Sequence, residues 1–187
     1  IANQAGVATG NLYRYFGGKD ALFDRVVTDD FAASLLSLVK RRVDSLVATD
    51  LTALDDEALH DQAELLRFWV EHRTKVLILL DVARARGTRL EGFSARFVDA
   101  LMRPTIAALR GKSCTGKLPR GSKLVLRSIF ENTVRTIVTI LEAHSDGARV
   151  RAAFTIFWRF QLAGLAGLER MVLEQGRAHS DAQEKKS

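Results

Sequence analysis

The chain has 187 residues, of which 47% are hydrophobic and 27% are charged. This size allows one large domain or a small domain joined to a larger one, and the composition is ordinary for a globular protein. No apolar run is long enough to cross a bilayer and no secretory signal is evident, so we expect no membrane partner. The single Cys114 cannot form an internal disulfide, which suits a reducing compartment.

The formal net charge is +6, but the basic excess does not lie at the start of the chain. Within residues 1–24, Arg14 and Lys19 balance Asp20 and Asp24. Between residues 84 and 127, eleven basic residues face only two acidic ones. This excess is typical of a solvated surface, or alternatively of a site for an anionic ligand or for supplementary phosphate contacts. Bulk charge alone therefore does not indicate DNA binding.

The first two dozen residues have the pattern of a helix-turn-helix. Ile1 to Ala5 is typical of the end of a short helix, and Gly6 with Val7 forms a tight turn. A second short helix follows, and Gly17-Gly18-Lys19 opens a third, amphipathic helix. In this motif the second helix enters the DNA major groove. A supporting helix is expected to precede Ile1, so we expect the sequence to be the ordered part of a longer protein.

This segment resembles the DNA-binding motif of the TetR family of transcriptional regulators. The matching positions are Ile1-Ala2, Ala5-Gly6-Val7, Gly10-Asn11-Leu12-Tyr13, Tyr15-Phe16, Lys19 and Leu22-Phe23. The resemblance implies a homodimer that binds a double-stranded, palindromic DNA operator. It also implies a cytoplasmic protein that associates with the nucleoid when it is bound to DNA.

The resemblance further implies which residues contact DNA. Thr9, Gly10 and Asn11 come at the start of the recognition helix, where side chains meet base edges. Phosphate contacts are expected from Tyr13, Arg14, Tyr15 and Lys19. The guanidinium of Arg14 also suits guanine. The chain departs from the family pattern at Ala8, where a capping hydroxyl is usual, and at Gly17-Gly18, which replaces a polar pair.

Helical spacing dominates the rest of the chain and no segment alternates at period two, so we predict an all-α fold. Polar or glycine-rich loops are expected at Thr49 to Asp55 and at Gly111 to Gly121. Pro104 is expected to kink its helix. The predicted helices are Asp20 to Val47, Asp55 to His72, Lys75 to Arg86 (stopped by Gly87), Arg89 to Arg110, Ser122 to Ala143 and Arg149 to about Glu174.

Three regions follow from this order of elements. Residues 1–43 are predicted to form the helix-turn-helix DNA-binding domain, which is incomplete because its first helix is missing from this chain. Residues 44–176 are predicted to form a helical ligand-binding and dimerisation domain, and residues 177–187 a disordered tail. The boundary falls inside the predicted helix Asp20 to Val47, which suits the transmission of movement between domains.

The last two predicted helices are apolar around too much of their circumference for a single buried stripe. A second copy of the chain would cover the remaining face in a four-helix interface, and the resemblance implies the same arrangement. The alternative is that both helices are fully covered within one chain. The residues predicted at the dimer interface are Ile137, Leu141, Phe157, Gly164 and Leu168.

A ligand pocket is expected among the central helices, because TetR-like proteins bind small molecules there. Its predicted lining is aromatic with two polar groups, namely Phe68, Trp69, Phe93, Phe97, Phe130, Asn132 and Thr136. Thr139 belongs to the same row of polar groups as Asn132 and Thr136, and Gln161 is a similar but weaker candidate, since a buried polar side chain needs a partner. The alternative for any of these residues is an ordinary place in the core.

No catalytic constellation is apparent, so we predict no enzyme activity, no metal and no cofactor. The four histidines lie far apart in the sequence, and neither HExxH nor CxxC occurs. Cys114 is interpreted as a plain exposed thiol or, alternatively, as a redox sensor. The predicted function is a repressor released from its operator by a small-molecule effector. The alternatives are an effector-independent DNA-organising or partner-binding dimer, and a helical enzyme.

Overall fold

The computed structural model describes residues 18–48, 62–81, 90–113 and 116–184. This part of the chain consists of α-helices and loops without a strand, which confirms the predicted fold class. In chain order the helices are α1 (Lys19–Val26), α2 (Asp29–Ala48), α3 (Gln62–Glu71), α4 (Arg73–Leu80), α5 (Phe93–Lys112), α6 (Ser122–Ala143) and α7 (Gly147–Glu184). Helix α5 packs against α2, α4, α6 and α7, so it lies at the centre of the bundle.

The single helix predicted from Asp20 to Val47 is wrong, because the structure divides it into α1 and α2. Val27 is extended, with φ −123° and ψ 102°, and ends α1. The hydroxyl of Thr28 then accepts a hydrogen bond from the backbone N–H of Phe31 at 3.2 Å. Asp29 and Asp30 place carboxylates in the first turn of α2. A hydroxyl cap followed by acidic residues stabilises a helix start, so a new helix begins here.

Glycines set the starts of α5 and α6. Gly92 and Gly121 precede these helices in the left-handed conformation, with φ of 82° and 87°, which glycine adopts without steric cost. Helix α5 therefore begins at Phe93 rather than at the predicted Arg89, and it continues through Pro104 to Lys112. Helix α6 has the predicted bounds.

The helices around residue 72 are arranged differently from the prediction. Helix α4 begins at Arg73 and ends at Leu80, where Asp81 is extended, so it is shorter than the predicted helix to Arg86. The predicted stop at Gly87 lies outside the described residues, as do the loop Thr49 to Asp55 and the predicted helix start at Asp55.

Helix α7 is longer than predicted. The Asp146 carboxylate precedes it and accepts the backbone N–H of Arg149 at 3.0 Å. That hydrogen bond favours the ionised carboxylate and is the main reason why the pKa of Asp146 lies below its ordinary value. The helix ends at Glu184 rather than near Glu174, so it extends into residues 177–187, for which we predicted a disordered tail.

One continuous set of apolar side chains forms most of the core. Phe23 and Val27 attach α1 to it, and Leu35 and Val39 attach α2. Burial of each such side chain contributes about 1.5–3 kcal/mol. Helices α1 and α2 therefore share one core with the other helices. No helix in the described part of the chain combines the length and apolar character of a membrane span.

Candidate ligand cavity and nucleic-acid interface

Most residues predicted to contact DNA lie outside the described part of the chain. This holds for Thr9, Gly10, Asn11, Tyr13, Arg14 and Tyr15. The backbone of Lys19 begins α1, but its side chain is outside the described residues. The structure shows instead how the end of this segment is held. Phe23 and Val27 of α1 are buried in the common core, so the chain that follows the predicted motif is fixed to the body.

A cavity of about 100 Å³ lies where five helices meet. Helix α2 supplies one wall through Val39, Arg42, Val43, Leu46 and Val47. The other walls come from α3, α5, α6 and α7. The lining is predominantly apolar with a few polar groups, which is the usual composition of a small-molecule site.

Three of the predicted ligand-binding aromatic residues line this cavity, namely Trp69, Phe97 and Phe130. They come from α3, α5 and α6, so the fold brings together side chains that are far apart in the sequence. Trp158 of α7 joins them, with its ring centroid 5.5 Å from that of Trp69. Sequence analysis missed Trp158, although its indole lies three residues before the candidate Gln161, a spacing that places both on one helix face.

The other two predicted aromatic residues have places elsewhere in the fold. The Phe68 ring stacks on Phe31 with centroids 5.1 Å apart and contacts the His72 ring edge-on. Phe93 is fully buried in the core, with the Arg96 guanidinium 5.5 Å from its ring centroid. These two residues join helices and do not line the cavity.

The residues of α6 that line the cavity lie one position after the predicted Asn132 and Thr136. Asn132 is exposed and Thr136 is half-buried, and neither lines the cavity. Thr133 and Ile137 line it instead, together with Phe130. Each residue of an α-helix turns the side-chain direction by about 100°, so a shift of one position moves a side chain to another face. The spacing of Phe130, Thr133 and Ile137 by three and four residues is the signal that identifies the inward face.

Hydrogen bonds inside the cavity occupy most of its polar groups. The Gln161 amide Nε2 donates to the Thr133 hydroxyl at 2.9 Å, and that hydroxyl donates to the Ile129 carbonyl at 2.9 Å. The Thr105 hydroxyl donates to the Leu101 carbonyl at 2.8 Å. The indole N–H of Trp69 is different, because it is buried and has no partner. Arg42, which is 9% exposed, gives the lining a positive charge.

The residues predicted at the dimer interface fall into two groups. Ile137 and Leu141 are buried in the chain's own core, so a partner does not reach them without opening it. Phe157 and Leu168 are half-buried against that core, and Gly164 is exposed. The large apolar side chains left exposed on α6 and α7 are Leu124, Val125, Ile156, Phe160 and Met171. The prediction missed these residues because it did not separate the two faces of each helix.

No metal site is found in the described ranges. No group of three or more His, Cys, Asp or Glu side chains there is placed to hold a metal ion. Cys114, interpreted from the sequence as an exposed thiol or a redox sensor, lies outside the described residues.

Comparison with protein families identifies the start of the chain. Residues 1–26 match the family described as bacterial regulatory proteins, tetR family. This match indicates a TetR-family DNA-binding segment at the start of the chain. The match spans the predicted turn, the recognition helix and Lys19, and therefore every predicted DNA contact. Comparison with curated proteins and with solved structures gives no significant match.

The TetR-family match favours a regulator over the helical-enzyme alternative, because regulators of this family are not enzymes. The assigned segment ends at Val26, the last residue of α1. Helix α2, which lines the cavity, therefore begins three residues after the last residue of the matched segment.

Proposed function

We propose that this TetR-family regulator is a repressor that a small molecule releases from its DNA operator. The observation that carries the proposal is the position of the cavity against α2. Five residues of α2 line the cavity, and α2 follows the DNA-binding segment with only Val27 and Thr28 between α1 and α2. A molecule in the cavity therefore contacts α2, the helix that follows the DNA-binding segment in the chain.

The proposed mechanism is a shift between two populations of a dimer. Operator binding requires two recognition helices about 34–36 Å apart, so that they reach successive turns of the major groove. A ligand that binds better to a state with another spacing draws the protein into that state. A coupling of about 1–3 kcal/mol weakens operator binding by about 5- to 150-fold. Repression is then relieved without any change at the DNA-contacting residues.

The dimer is supported by the exposed faces of α6 and α7. Ile156 and Phe160 are 73% and 77% exposed, and they are one helical turn apart on α7. Gly164 and Met171 continue the same face of α7. A continuous apolar strip of this kind is typical of an interaction surface, and a second copy of the chain covers it in our proposal. The cytoplasm is the proposed location.

The DNA-binding part of the proposal is tested with duplexes that the protein selects from a random pool. Fluorescence anisotropy then gives the affinity of each variant for several sequences. Tyr13→Phe and Lys19→Ala are expected to weaken binding to all sequences by similar factors, because phosphates are common to every duplex. Lys123→Ala is the matched control, since Lys123 is an exposed basic residue on α6. A change of sequence preference in Tyr13→Phe would show that this residue reads bases.

The ligand response is tested with a panel of hydrophobic and acidic metabolites. Compounds that raise the melting temperature are added to the complex of protein and selected duplex, and the anisotropy is followed. We expect at least one stabilising compound to release the DNA. If no compound both stabilises the protein and releases DNA, the remaining candidate is an effector-independent DNA-organising or partner-binding dimer. The small volume of the cavity, about 100 Å³, makes that outcome worth testing.

A further inference from the structure

The indole of Trp69 needs a hydrogen-bond acceptor that the described residues do not provide. Trp69 is 2% exposed and lines the cavity, and its Nε1 has no partner. The rings of Phe154 and Trp158 lie 4.6 Å and 5.5 Å from the Trp69 ring between centroids, and neither ring carries an oxygen. A buried donor without an acceptor has lost its bonds to water, so such groups are rare unless something else satisfies them. An indole nitrogen only donates, and the missing partner is therefore an acceptor.

The other polar side chains of the described lining already have partners. The Gln161 amide donates to the Thr133 hydroxyl, and the hydroxyls of Thr133 and Thr105 donate to carbonyls of their own helices. Arg42 has a contact of its own within the chain. The Trp69 N–H is therefore the buried side-chain donor of the described lining that is left without an acceptor.

An organic molecule matches this site better than water does. A buried water molecule typically makes about three hydrogen bonds, and cavities with apolar walls stay dry. Here one buried donor is left over, and most of the wall consists of aliphatic and aromatic side chains. A molecule with one acceptor oxygen and a hydrocarbon body matches both parts of the site. A carbonyl or ether oxygen only accepts, so it brings no proton that would need a partner of its own.

The volume of the cavity limits the molecule to a few atoms. A cavity of about 150 Å³ accommodates the six carbons of benzene, which corresponds to about 25 Å³ for each non-hydrogen atom. On that scale, the volume of about 100 Å³ holds about four non-hydrogen atoms. A six-membered ring therefore exceeds the cavity, whereas a short ketone, aldehyde or ether fills it.

We infer that the cavity binds a short ketone, aldehyde or ether of about four non-hydrogen atoms, whose oxygen accepts a hydrogen bond from Trp69 Nε1. This inference rests on the proposed function, because it names the chemical class of the effector. Trp69 selects for the oxygen, and the apolar walls select for the size of the hydrocarbon part. Leu46 and Val47 of α2 belong to these walls, so the bound molecule contacts the helix that follows the family-matched segment.

The test follows the indole N–H signals of the whole chain by nuclear magnetic resonance. The chain has two tryptophans, so Trp158→Phe assigns the two indole signals by removing one of them. Acetone has the required size, and 2-methylpropene is the matched probe with a methylene group in place of the oxygen. We expect acetone to move the Trp69 indole proton downfield, because the N–H gains an acceptor. We expect 2-methylpropene to bind without this shift.

The size of the ligand is tested with a larger ketone. Cyclohexanone presents the same oxygen on a six-membered ring, and we expect it to bind more weakly than acetone, because the packed walls would have to move to admit it. Ligands as small as acetone reach dissociation constants of about 40 µM at the tightest, so each titration extends into the millimolar range.

Trp69→Phe separates the hydrogen bond from packing. This variant keeps a ring without the N–H, and the amide shifts of the lining residues give its affinities. We expect the affinity for acetone relative to that for 2-methylpropene to fall by about 3- to 10-fold, because one net hydrogen bond is lost. Trp158→Phe is the matched control, since it also removes an indole from the cavity wall, and it is expected to keep the ratio of the parent chain. Circular dichroism checks that both variants remain helical. If Trp69→Phe does not fold, the indole shift in the parent chain still decides the question.

The inference is overturned if acetone leaves the Trp69 indole signal in place, or if Trp69→Phe weakens acetone and 2-methylpropene equally. It is also overturned if the indole N–H contacts water that acetone does not displace, because solvent is then the partner. Tighter binding of cyclohexanone than of acetone would contradict the assigned size.

Release of the selected duplex tests the proposed function separately. If acetone binds at Trp69 but no compound of the metabolite panel releases DNA, the proposed function fails and the assignment of the cavity stands. If compounds of the panel release DNA while acetone does not reach Trp69, the proposed function stands and the inference fails.

Discussion

The Arg73 guanidinium joins two helices through backbone carbonyls rather than through a carboxylate. Its Nε donates to the carbonyls of Leu141 and His144 at 2.5 Å and 3.0 Å, and Nη2 approaches the Glu142 carbonyl at 3.5 Å. These carbonyls belong to the end of α6 and the residue that follows it, where no amide of the helix is left to bond them. The positive charge also complements the negative end of the helix dipole. Arg73 therefore ties the start of α4 to the end of α6.

We expect Arg73→Ala to lower the free energy of unfolding by about 1–3 kcal/mol, because it leaves part-buried carbonyls without donors. Urea denaturation followed by circular dichroism measures this change. Arg41→Ala is the matched control, since Arg41 pairs with Glu64 at 3.3 Å while both side chains are about 60% exposed. An exposed pair of this kind contributes about 0–1 kcal/mol. Equal losses in the two variants would show that the Arg73 contacts are not a cap.

Two buried polar atoms of the described residues lack a hydrogen bond, and they differ in kind. Glu169 Oε2 belongs to a carboxylate whose other oxygen accepts Lys112 Nζ at 2.6 Å, so the charge of the group is already paired. Trp69 Nε1 is the single polar atom of its side chain and has no partner. The carboxylate therefore has a structural account in the contact between α5 and α7. The indole N–H has no such account among the described contacts.

At the scale of elements, the break between α1 and α2 separates the end of the family-matched segment from the helix that lines the cavity. Thr28 caps α2 immediately after the extended Val27. The helix is interrupted at these two residues, whereas Phe23 and Leu35 on either side remain buried in the common core. The break is therefore held by a local cap and by packing on both sides of it.

We expect Thr28→Ala to lower the free energy of unfolding by about 1 kcal/mol, because the first turn of α2 loses its hydroxyl acceptor. Thermal unfolding monitored by circular dichroism measures the loss. Thr139→Ala is the control, because the Thr139 hydroxyl bonds the Arg135 carbonyl on an exposed face inside α6. Alanine is the better helix former there, so no loss is expected. A loss in Thr139→Ala as large as that in Thr28→Ala would contradict the assignment of Thr28 as a cap.

The sequence predicts the bounds of a helix where residues at its ends mark them, and it is ambiguous where packing between helices determines the bounds. Ser122–Ala143 was predicted with its observed bounds, because Gly121 precedes it and His144 follows with a polar turn. The break at Val27 was missed, because an apolar pattern continues through Val26, Val27 and Phe31, although Thr28-Asp29-Asp30 is a start signal.

The cavity was predicted in part, for a similar reason. Large aromatic residues are a sound guide to buried positions, and Trp69, Phe97 and Phe130 were found in this way. The choice between Asn132 and Thr133 depends on how α6 is rotated about its axis, and that rotation is set by the partners it packs against. Whether the Trp69 indole N–H has a hydrogen-bond acceptor depends on all of its neighbours in the fold. No sequence pattern predicts that it lacks one.

At the scale of the whole molecule, α5 is the central helix of the bundle and α7 packs against three of the other helices. Helix α5 contacts four others, and α7 packs against α3, α5 and α6. This arrangement covers one side of α6 and α7 and leaves their other sides exposed among the described residues. The apolar side chains on that exposed side determine how two copies of the regulator would meet. Dimer formation, rather than the fold of one chain, would then fix the spacing of the two DNA-binding segments.

The exposed strip of α7 provides the test of the dimer. Ile156 and Phe160 are expected to lie inside the interface, so Ile156→Glu or Phe160→Glu would bury an unpaired charge there. We expect each change to raise the dimer dissociation constant by about 100-fold or more, since loss of an interface hot spot costs at least about 2 kcal/mol and an unpaired charge adds to it. Sedimentation velocity over a range of protein concentrations measures this constant, and circular dichroism checks that the helices persist.

Ala107→Glu is the matched control for these variants. Ala107 is exposed on α5 and therefore lies outside the exposed strip of α7. The added charge is expected to leave the dimer intact. A parent chain that sediments as a monomer at all concentrations would contradict the proposed dimer directly. If the parent dimerises and both strip variants remain dimeric, the interface lies on another face.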